Sequence, residues 1–302
     1  MTPFFSVIIP SYNRAEFIKN TVESVRLQSF ENWECIVVDD GSIDNTREII
    51  EALILTDSRI KYIYQKNAER SAARNNGIRN SSGKYICFLD SDDSFEQNHL
   101  KEFYTEIEIK ESPIALFFTN YIICQNEKKI HQNFPTLGKD VIDYLFYNPI
   151  IPARVCIHAE ILKILNFDED IVIVEDLLLW IKIALKYPLF HIEKETVIYN
   201  LHEDNSINLK NNSALKRLNG LKLFLKKYPE IQNEIPQKMW DNIIGDTHFN
   251  LMKYHLYNKS KKTALKHLIF SLYLQKRHHH LKHKVYVLFM ILLNRRIVEY
   301  ES

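Results

Sequence analysis

The chain has 302 residues, of which 46% are hydrophobic and 25% charged, a composition typical of a globular protein with a packed core. Its 6 glycines and 9 prolines are too few for long flexible linkers. The 4 cysteines form no CxxC pair, so they predict buried thiols in a reducing compartment rather than a metal site. No signal-peptide pattern is present, and no apolar run reaches the roughly 18 residues that cross a bilayer. We therefore expect a cytoplasmic protein, or one that is peripheral at the inner face of the membrane.

The net charge of +1 hides an asymmetry along the chain. Residues 211–302 contain 17 lysines and arginines but only 6 aspartates and glutamates, which leaves a charge of −10 on the first 210 residues. This difference predicts an acidic domain at 1–210 and a basic region at 211–302 that faces something anionic.

Apolar runs and amphipathic stretches alternate through the first 120 residues. The runs that predict strands lie at 5–10, 33–38, 60–65, 84–89 and 114–119. The stretches that predict helices lie at 15–28, 44–55, 69–80 and 97–110. Strands separated by helices of this length indicate right-handed βαβ units, and therefore an α/β fold with a mostly parallel sheet flanked by helices.

The rest of the chain is increasingly helical. Between 120 and 210 the pattern predicts helices at 140–147, 159–165 and 176–186, with short strands near Phe190 and Val197. Beyond 210 it predicts helices at 214–227, 237–257, 260–274 and 281–297. We expect an α-helical carboxy-terminal region after the α/β domain.

Acidic side chains follow the predicted strands. Asp39-Asp40 follows the second strand, and Asp90-Ser-Asp-Asp93 follows the fourth. Ligands bind beyond the carboxyl ends of the strands in an open α/β sheet, and these five carboxylates would repel one another without a cation among them. Mg²⁺ or Mn²⁺ with oxygen ligands meets that need. The alternative is that the acids are helix N-caps and turn residues.

Glycine-rich phosphate-binding loops are absent from the sequence. It contains neither a GxxxxGK loop nor a GxGxxG fingerprint. A bound diphosphate would therefore be held through a cation and through side chains.

Four sequence blocks occur in the order SVIIPSYNR at 6–14, VVDDGS at 37–42, ARNNG at 73–77 and GKYICFLDSDD at 83–93. Together they resemble the nucleotide-binding half of the family 2 inverting glycosyltransferases, which have the Rossmann-like GT-A fold. The resemblance is strong over residues 4–100 and moderate over 150–205. Ala68 departs from it, because many relatives have glycine after the preceding asparagine.

The resemblance implies a role for each matching residue on the nucleotide side. Tyr12 would stack on the base beside the Pro10 backbone. Asp40 would accept a hydrogen bond from the base, with Asp39 in support. Arg74 would face the donor phosphates or the ribose.

The acidic block implies the metal site. Asp92 would be the principal ligand of Mn²⁺ or Mg²⁺ and would bridge it to the diphosphate. Asp90 would bind the ribose and lie beside the metal, and Asp93 would bind or support the metal. His202 would reach the diphosphate or the metal, although an ordinary surface histidine is an equal alternative.

Glu175-Asp176, followed by Leu-Leu-Leu-Trp180, resembles the family's Glu-Asp motif before a Leu-Trp pair. Inverting transfer needs a base for the acceptor hydroxyl on the face opposite the leaving diphosphate. The resemblance implies that Asp176 is this base and that Glu175 orients it or binds the acceptor. The alternative is that both acids only satisfy a helix dipole.

The resemblance therefore implies a metal-dependent hexosyl- or N-acetylhexosaminyl-transferase. It would move a single sugar from a nucleotide-diphospho-sugar, a UDP-sugar in particular, to a saccharide or lipid-linked saccharide in cell-surface glycan synthesis. Residues 1–100 would bind the donor and 101–210 the acceptor. The alternative function is a catalytically silent nucleotide-sugar-binding or scaffold module.

The basic carboxy-terminal region suggests a further partner. Residues 276–297 combine basic side chains with an apolar stripe made of Val285, Leu288, Phe289, Leu292 and Leu293. This pattern predicts either a helix that lies on an anionic membrane surface or a helix packed on a core. No nucleic-acid recognition motif is present, so we expect no nucleic-acid partner.

Overall fold

Nine strands form one sheet in the computed structural model, which describes residues 2–202, 213–274 and 284–288. Along the sheet the strand order is β3-β2-β1-β4-β8-β6-β9-β5, with β7 paired to β6. The chain divides into two compact units, Met1–Glu203 and Asp204–Ser302, and the sheet belongs to the first.

The first half of the sheet is parallel. Its strands are β1 (Phe5–Ser11), β2 (Trp33–Asp39), β3 (Ile60–Tyr64) and β4 (Tyr85–Phe88). They alternate with helices α1 (Ile18–Arg26), α2 (Thr46–Ile54) and α3 (Glu69–Arg79). Strand β2 is buried along its whole length, as expected for a parallel strand covered on both faces. The predicted α/β fold is confirmed.

Antiparallel pairs extend the sheet in its second half. The elements are β5 (Ser94–Phe95), α4 (His99–Ile109), β6 (Leu116–Gln125), β7 (Lys128–His131), α5 (Val141–Tyr147), β8 (Val155–His158), α6 (Ala159–Ile164), α7 (Glu175–Ala184) and β9 (Leu189–Asn200). Strand β8 lies antiparallel between β4 and β6, whereas β6 and β9 are parallel. The two short strands predicted near residues 190 and 197 are one strand, β9, and the pattern did not predict β5, β7 or β8.

Helix α3 lies close against β1. Its Ala73 is fully buried, and a Cβ atom at Gly77 would collide with Cγ2 of Ile8 on that strand. Glycine is therefore required at this position for the helix to approach the sheet.

The second unit is helical in its described part. It contains α8 (Ser213–Lys227), α9 (Pro229–Glu234), α10 (Gln237–Tyr257), α11 (Lys261–Leu274) and a helical segment at 284–288. Val287 and Leu288 of that segment pack with α10 and α11, and the Lys284 ammonium donates a 2.7 Å hydrogen bond to the Ser271 hydroxyl. Leu288 of the predicted stripe thus packs on the core, whereas Val285 is 38% exposed, and the rest of the stripe lies outside the described residues.

Among the described residues, no helix combines the length and the apolar character needed to span a membrane.

Gly77→Ala tests the contact between α3 and β1. Crowding against Ile8 should outweigh alanine's higher helix propensity (about 1 kcal/mol) and lower the free energy of unfolding by about 2 kcal/mol. Urea denaturation followed by circular dichroism measures this. Gly138→Ala is the matched control, because no atom lies within 4 Å of its added Cβ, and it should change the free energy by less than about 0.5 kcal/mol. Equal effects of the two substitutions would contradict the close approach.

Candidate active site

The acidic turn, residues 90–93, connects β4 to β5 and is held from two sides. The Thr21 hydroxyl on α1 lies 2.9 Å from the backbone oxygens of both Ser91 and Asp93. At the end of β9, the Asn200 N–H donates to Asp93 Oδ1 at 2.9 Å, and its side-chain amide donates to the Asp92 carbonyl at 2.8 Å. Neutral donors therefore hold the backbone of the turn and one carboxylate oxygen of Asp93.

Asp93 is buried within this turn. Its Oδ2 atom has no hydrogen-bond partner among the described residues. Burial raises the pKa of Asp93 well above its ordinary value, and the charges of Asp90 and Asp92 raise it further. A carboxyl in this position needs either a proton or a cation.

In charge and ligand type, the acidic turn fits a hard divalent cation. No group of three or more His, Cys, Asp or Glu side chains is arranged to hold a metal ion within the described ranges. Mg²⁺-type sites usually take one or two carboxylates and complete the shell with substrate phosphates and water.

Asp92 faces two basic side chains. Its Oδ2 atom lies 3.6 Å from Arg14 Nε and 3.2 Å from His202 Nε2. The His202 ring stacks on Phe17 with centroids 4.9 Å apart. The structure thus brings the predicted His202 to the acidic turn. Arg14 was not predicted as a site residue, although it ends the first sequence block.

Both carboxylate oxygens of Asp39 accept hydrogen bonds from the protein. Oδ1 accepts a hydrogen bond from the Ser42 N–H at 2.8 Å, and Oδ2 accepts one from the Tyr62 hydroxyl at 2.7 Å. The hydrogen bond from Ser42 is a contact within a turn, as expected if Asp39 is a turn residue, which was the alternative interpretation of these acids. Asp39 therefore holds the loop that carries Asp40.

Asp40 directly follows β2 and is buried. Its Oδ1 accepts hydrogen bonds from the Gln65 side chain at 2.7 Å and from the Ala68 N–H at 2.9 Å. Burial raises the pKa of Asp40, although these hydrogen bonds oppose the shift. Glu69, next to Ala68, takes the left-handed conformation with φ +70°. The loop that departs from the family pattern thus still reaches Asp40.

Tyr12 is well placed to receive a planar ligand. It directly follows β1 and is 48% exposed, which is unusual for a large aromatic ring at the end of a buried strand. Pro10, within β1, is partly buried. These positions are compatible with base stacking.

Arg74 on α3 joins two parts of the site. It is 1% exposed, and its terminal nitrogens lie 2.8 Å from Asp90 Oδ1 and 2.9 Å from Glu175 Oε1. Burial lowers the pKa of the guanidinium, but the two carboxylates outweigh burial and raise it, so Arg74 stays charged. The resemblance implied that Arg74 faces the donor, whereas the structure directs both terminal nitrogens to carboxylates of the protein.

Glu175 and Asp176 begin α7. Glu175 is 5% exposed, and burial together with the Asp176 charge raises its pKa, while Arg74 opposes the shift. The Asp176 Oδ1 accepts a hydrogen bond from the Leu177 N–H at 2.7 Å. The pair does lie at a helix N-terminus, as the alternative interpretation holds, but a helix dipole does not explain the ion pair with Arg74.

Val174, just before α7, is strained. It is buried and has φ +71°, a left-handed conformation that costs a β-branched residue roughly 1–3 kcal/mol. The surrounding structure therefore fixes the direction in which the chain enters the Glu175-Asp176 turn.

Comparison with known proteins identifies the family. Residues 6–162, more than half of the chain, match the family model described as Glycosyl transferase family 2. The chain belongs to glycosyl transferase family 2.

Curated relatives are similar to part of this chain. An uncharacterized glycosyltransferase from Rickettsia felis is 36% identical over 198 residues, which cover 63% of this chain and 32% of the relative. UDP-Glc:alpha-D-GlcNAc-diphosphoundecaprenol beta-1,3-glucosyltransferase WfgD from Escherichia coli is 41% identical over 122 residues, 40% of this chain and 47% of the relative. The chain thus spans less than half the length of these curated relatives.

A solved structure of TarS residues 1–349 from S. aureus, in complex with UDP-GlcNAc, has the same fold. It superimposes with a TM-score of 0.61 at 19% identity and covers 97% of this chain and 93% of that one. The GT-A fold expected for a family 2 glycosyltransferase is therefore confirmed.

Asp93→Asn tests whether the acidic turn contains an unfavourable charge. The pKa of Asp93 is higher in the folded than in the unfolded protein. Below about pH 4 the carboxyl is protonated in both states and does not affect the free energy of unfolding. As the pH rises above about 4, ionisation favours the unfolded state and the free energy of unfolding falls. In metal-free buffer at pH 7 the variant should melt at a higher temperature than the wild type, and this gain should vanish below about pH 4. Thermal melts followed by circular dichroism measure both.

Asp44→Asn is the matched control for Asp93→Asn. Burial raises the pKa of Asp44, but hydrogen bonds from Thr46 and Ala15 outweigh it, so the pKa is lowered overall. This variant should melt at a lower temperature than the wild type at pH 7, and the loss should fade as the pH falls through about 4. A shift in the same direction for both variants would contradict the electrostatic account.

Proposed function

We propose that this family 2 protein is an inverting, metal-dependent glycosyltransferase that moves one hexosyl or N-acetylhexosaminyl unit from a UDP-sugar to an acceptor hydroxyl. The observation that carries the proposal is the ion pair of Arg74 with both Asp90 and Glu175. Through it, the donor-side acidic turn and the candidate base at the start of α7 become parts of one site.

The nucleotide would bind at the carboxyl ends of β1 and β2. The exposed Tyr12 ring stacks on the base beside the Pro10 backbone, and Asp40 accepts a hydrogen bond from a base N–H. Asp39 holds the loop in place through Ser42. The UDP-GlcNAc bound to TarS and the UDP-Glc in the name of the E. coli relative support a uridine nucleotide.

The diphosphate would bind at the acidic turn through a divalent cation. Asp92 would be the principal ligand, with Asp90 and Asp93 beside it and His202 within reach of the same oxygens. When bound, Mn²⁺ or Mg²⁺ would neutralise charge on the departing diphosphate. The buried, unpaired Asp93 Oδ2 supports this assignment.

Asp176 would act as the general base. It takes the proton from the acceptor hydroxyl while that oxygen attacks the anomeric carbon from the face opposite the diphosphate, which inverts the configuration. Glu175, held by Arg74, lies directly before it in the chain. Residues 1–100 would bind the donor and 101–210 the acceptor.

The acceptor would be a saccharide or a lipid-linked saccharide in cell-surface glycan synthesis. The diphosphoundecaprenol-linked GlcNAc in the name of the E. coli relative supports a lipid-linked acceptor. A putative teichuronic acid biosynthesis glycosyltransferase among the curated relatives supports a surface glycan.

Asp176→Asn tests the base. The amide cannot accept the hydroxyl proton, so kcat should fall by about 10²–10⁴-fold while UDP-sugar binding is retained. Release of UDP in the presence of acceptor measures turnover, and a thermal shift with the UDP-sugar measures binding. Glu160→Gln is the matched control, because Glu160 is also a first-turn acid, on α6, and it should keep wild-type activity. Wild-type turnover by Asp176→Asn would exclude Asp176 as the base.

Removal of metal tests the acidic turn. EDTA should abolish transfer, and Mn²⁺ or Mg²⁺ should restore it. Asp92→Asn should raise the Mn²⁺ concentration needed for half-maximal activity by at least about tenfold, since one carboxylate charge is lost. Asp57→Asn, which alters an acid paired with Arg59 outside the site, should leave that concentration unchanged. Transfer that persists in EDTA would disprove the metal role.

A further inference from the structure

Helix α3 has a buried polar face, which is unusual for a helix packed on a sheet. Ser71, Arg74 and Asn75 are each at most 3% exposed and follow the i, i+3, i+4 spacing of one helix face. Buried polar side chains are costly unless they are hydrogen-bonded, so this face must have partners.

The partners lie about a hundred residues further along the chain, in the segment that leads into α7. The Asn75 side chain donates to the Phe167 carbonyl at 2.9 Å and accepts from the Phe167 N–H at 3.1 Å. It also donates to Glu169 Oε1 at 2.8 Å, and Ser71 donates to the Ile171 carbonyl at 3.4 Å. The polar face of α3 therefore anchors the segment from 167 to 171.

Arg74 completes this anchor at Glu175. Its guanidinium lies over the Phe167 ring, 5.2 Å from the centroid, and bonds Glu175 directly. Phe167 in turn packs edge-to-face on Trp180 of α7, with ring centroids 5.9 Å apart. The Arg74 side chain thus contacts both Phe167, in the segment before α7, and Glu175, the first residue of α7.

We propose that Arg74 is a positioning residue that acts through Glu175 and sets the direction of the Asp176 carboxylate. The inference rests on the proposed function, since it concerns the same base. It assigns Arg74 no contact with the donor phosphates, because both terminal nitrogens already bond Asp90 and Glu175.

Geometry explains why this position requires arginine. The planar guanidinium directs separate N–H groups at two carboxylates on different elements. A lysine ammonium keeps the positive charge but is a compact point charge on a flexible stem. Its single nitrogen cannot occupy the positions of both terminal guanidinium nitrogens, so Arg74→Lys should release Glu175 or Asp90.

The experiment compares Arg74→Lys, Glu175→Gln and the double variant. Arg74→Lys should lower kcat by about 100-fold, the loss expected from misplacing a catalytic group by about 1 Å, and leave the KM for the UDP-sugar within about twofold. Glu175→Gln should lower kcat similarly. The double variant should be no slower than the slower single variant, because both changes interrupt the same link.

Arg154→Lys is the matched control. Arg154 is also fully buried in the first unit, but it bonds the neutral oxygens of Thr119, Pro149 and Asn120 and pairs with no carboxylate among the described residues. Arg154→Lys should lower the melting temperature without the large loss of kcat expected for Arg74→Lys. Thermal melts of all four variants separate instability from slow turnover, and if Arg74→Lys does not fold, Glu175→Gln must still reproduce the loss of kcat at unchanged KM.

Two failures are distinguishable. If the wild-type protein transfers no sugar from any nucleotide sugar with Mn²⁺ or Mg²⁺, the proposed function is wrong and the inference fails with it. If the wild type is active but Arg74→Lys raises the KM for the UDP-sugar, or its loss of kcat multiplies with that of Glu175→Gln, only the inference is wrong. Arg74 would then act on the donor itself.

Discussion

Burying a charged side chain costs several kcal/mol of desolvation, which good geometry and hydrogen bonding must offset. At Arg74 this compensation comes from Asp90 and Glu175, which approach its two terminal nitrogens from two different elements. The arrangement of the site depends on this ion pair. The ion pair fixes the positions of α3, the end of β4 and the start of α7 relative to one another. Removal of either carboxylate would leave an uncompensated charge in the core.

Asp93 in the acidic turn shows the opposite electrostatic situation. Neutral donors from Thr21 and Asn200 hold its carbonyl and its Oδ1, so these donors do not relieve the repulsion that the charges of Asp90 and Asp92 exert on its carboxylate. Strain of another kind is stored at Val174, whose left-handed backbone precedes the candidate base. Unfavourable local energies of this type are typical of functional sites, where the rest of the fold supports them.

Sequence patterns predicted the parallel half of the fold because long apolar runs such as β2 leave few alternatives. They missed β8, since its four residues are too short for a period to be visible. They also predicted the carboxylates at the strand ends, since acidic residues directly follow the apolar runs of β2 and β4. They did not predict the partners of Arg74 or the role of Asn200, because these contacts join residues about a hundred positions apart and no local pattern reports them.

The 101-residue separation between Arg74 and Glu175 also has a consequence during synthesis. The amino-terminal part of a chain is synthesised first. Strands β1 to β4 are complete by residue 88, but Ser71, Asn75 and one terminal nitrogen of Arg74 have no counterpart until residues 167–175 have been translated. The polar face of α3 must therefore wait, partly paired, for the segment that carries the candidate base. The two parts of the candidate site would become complete together.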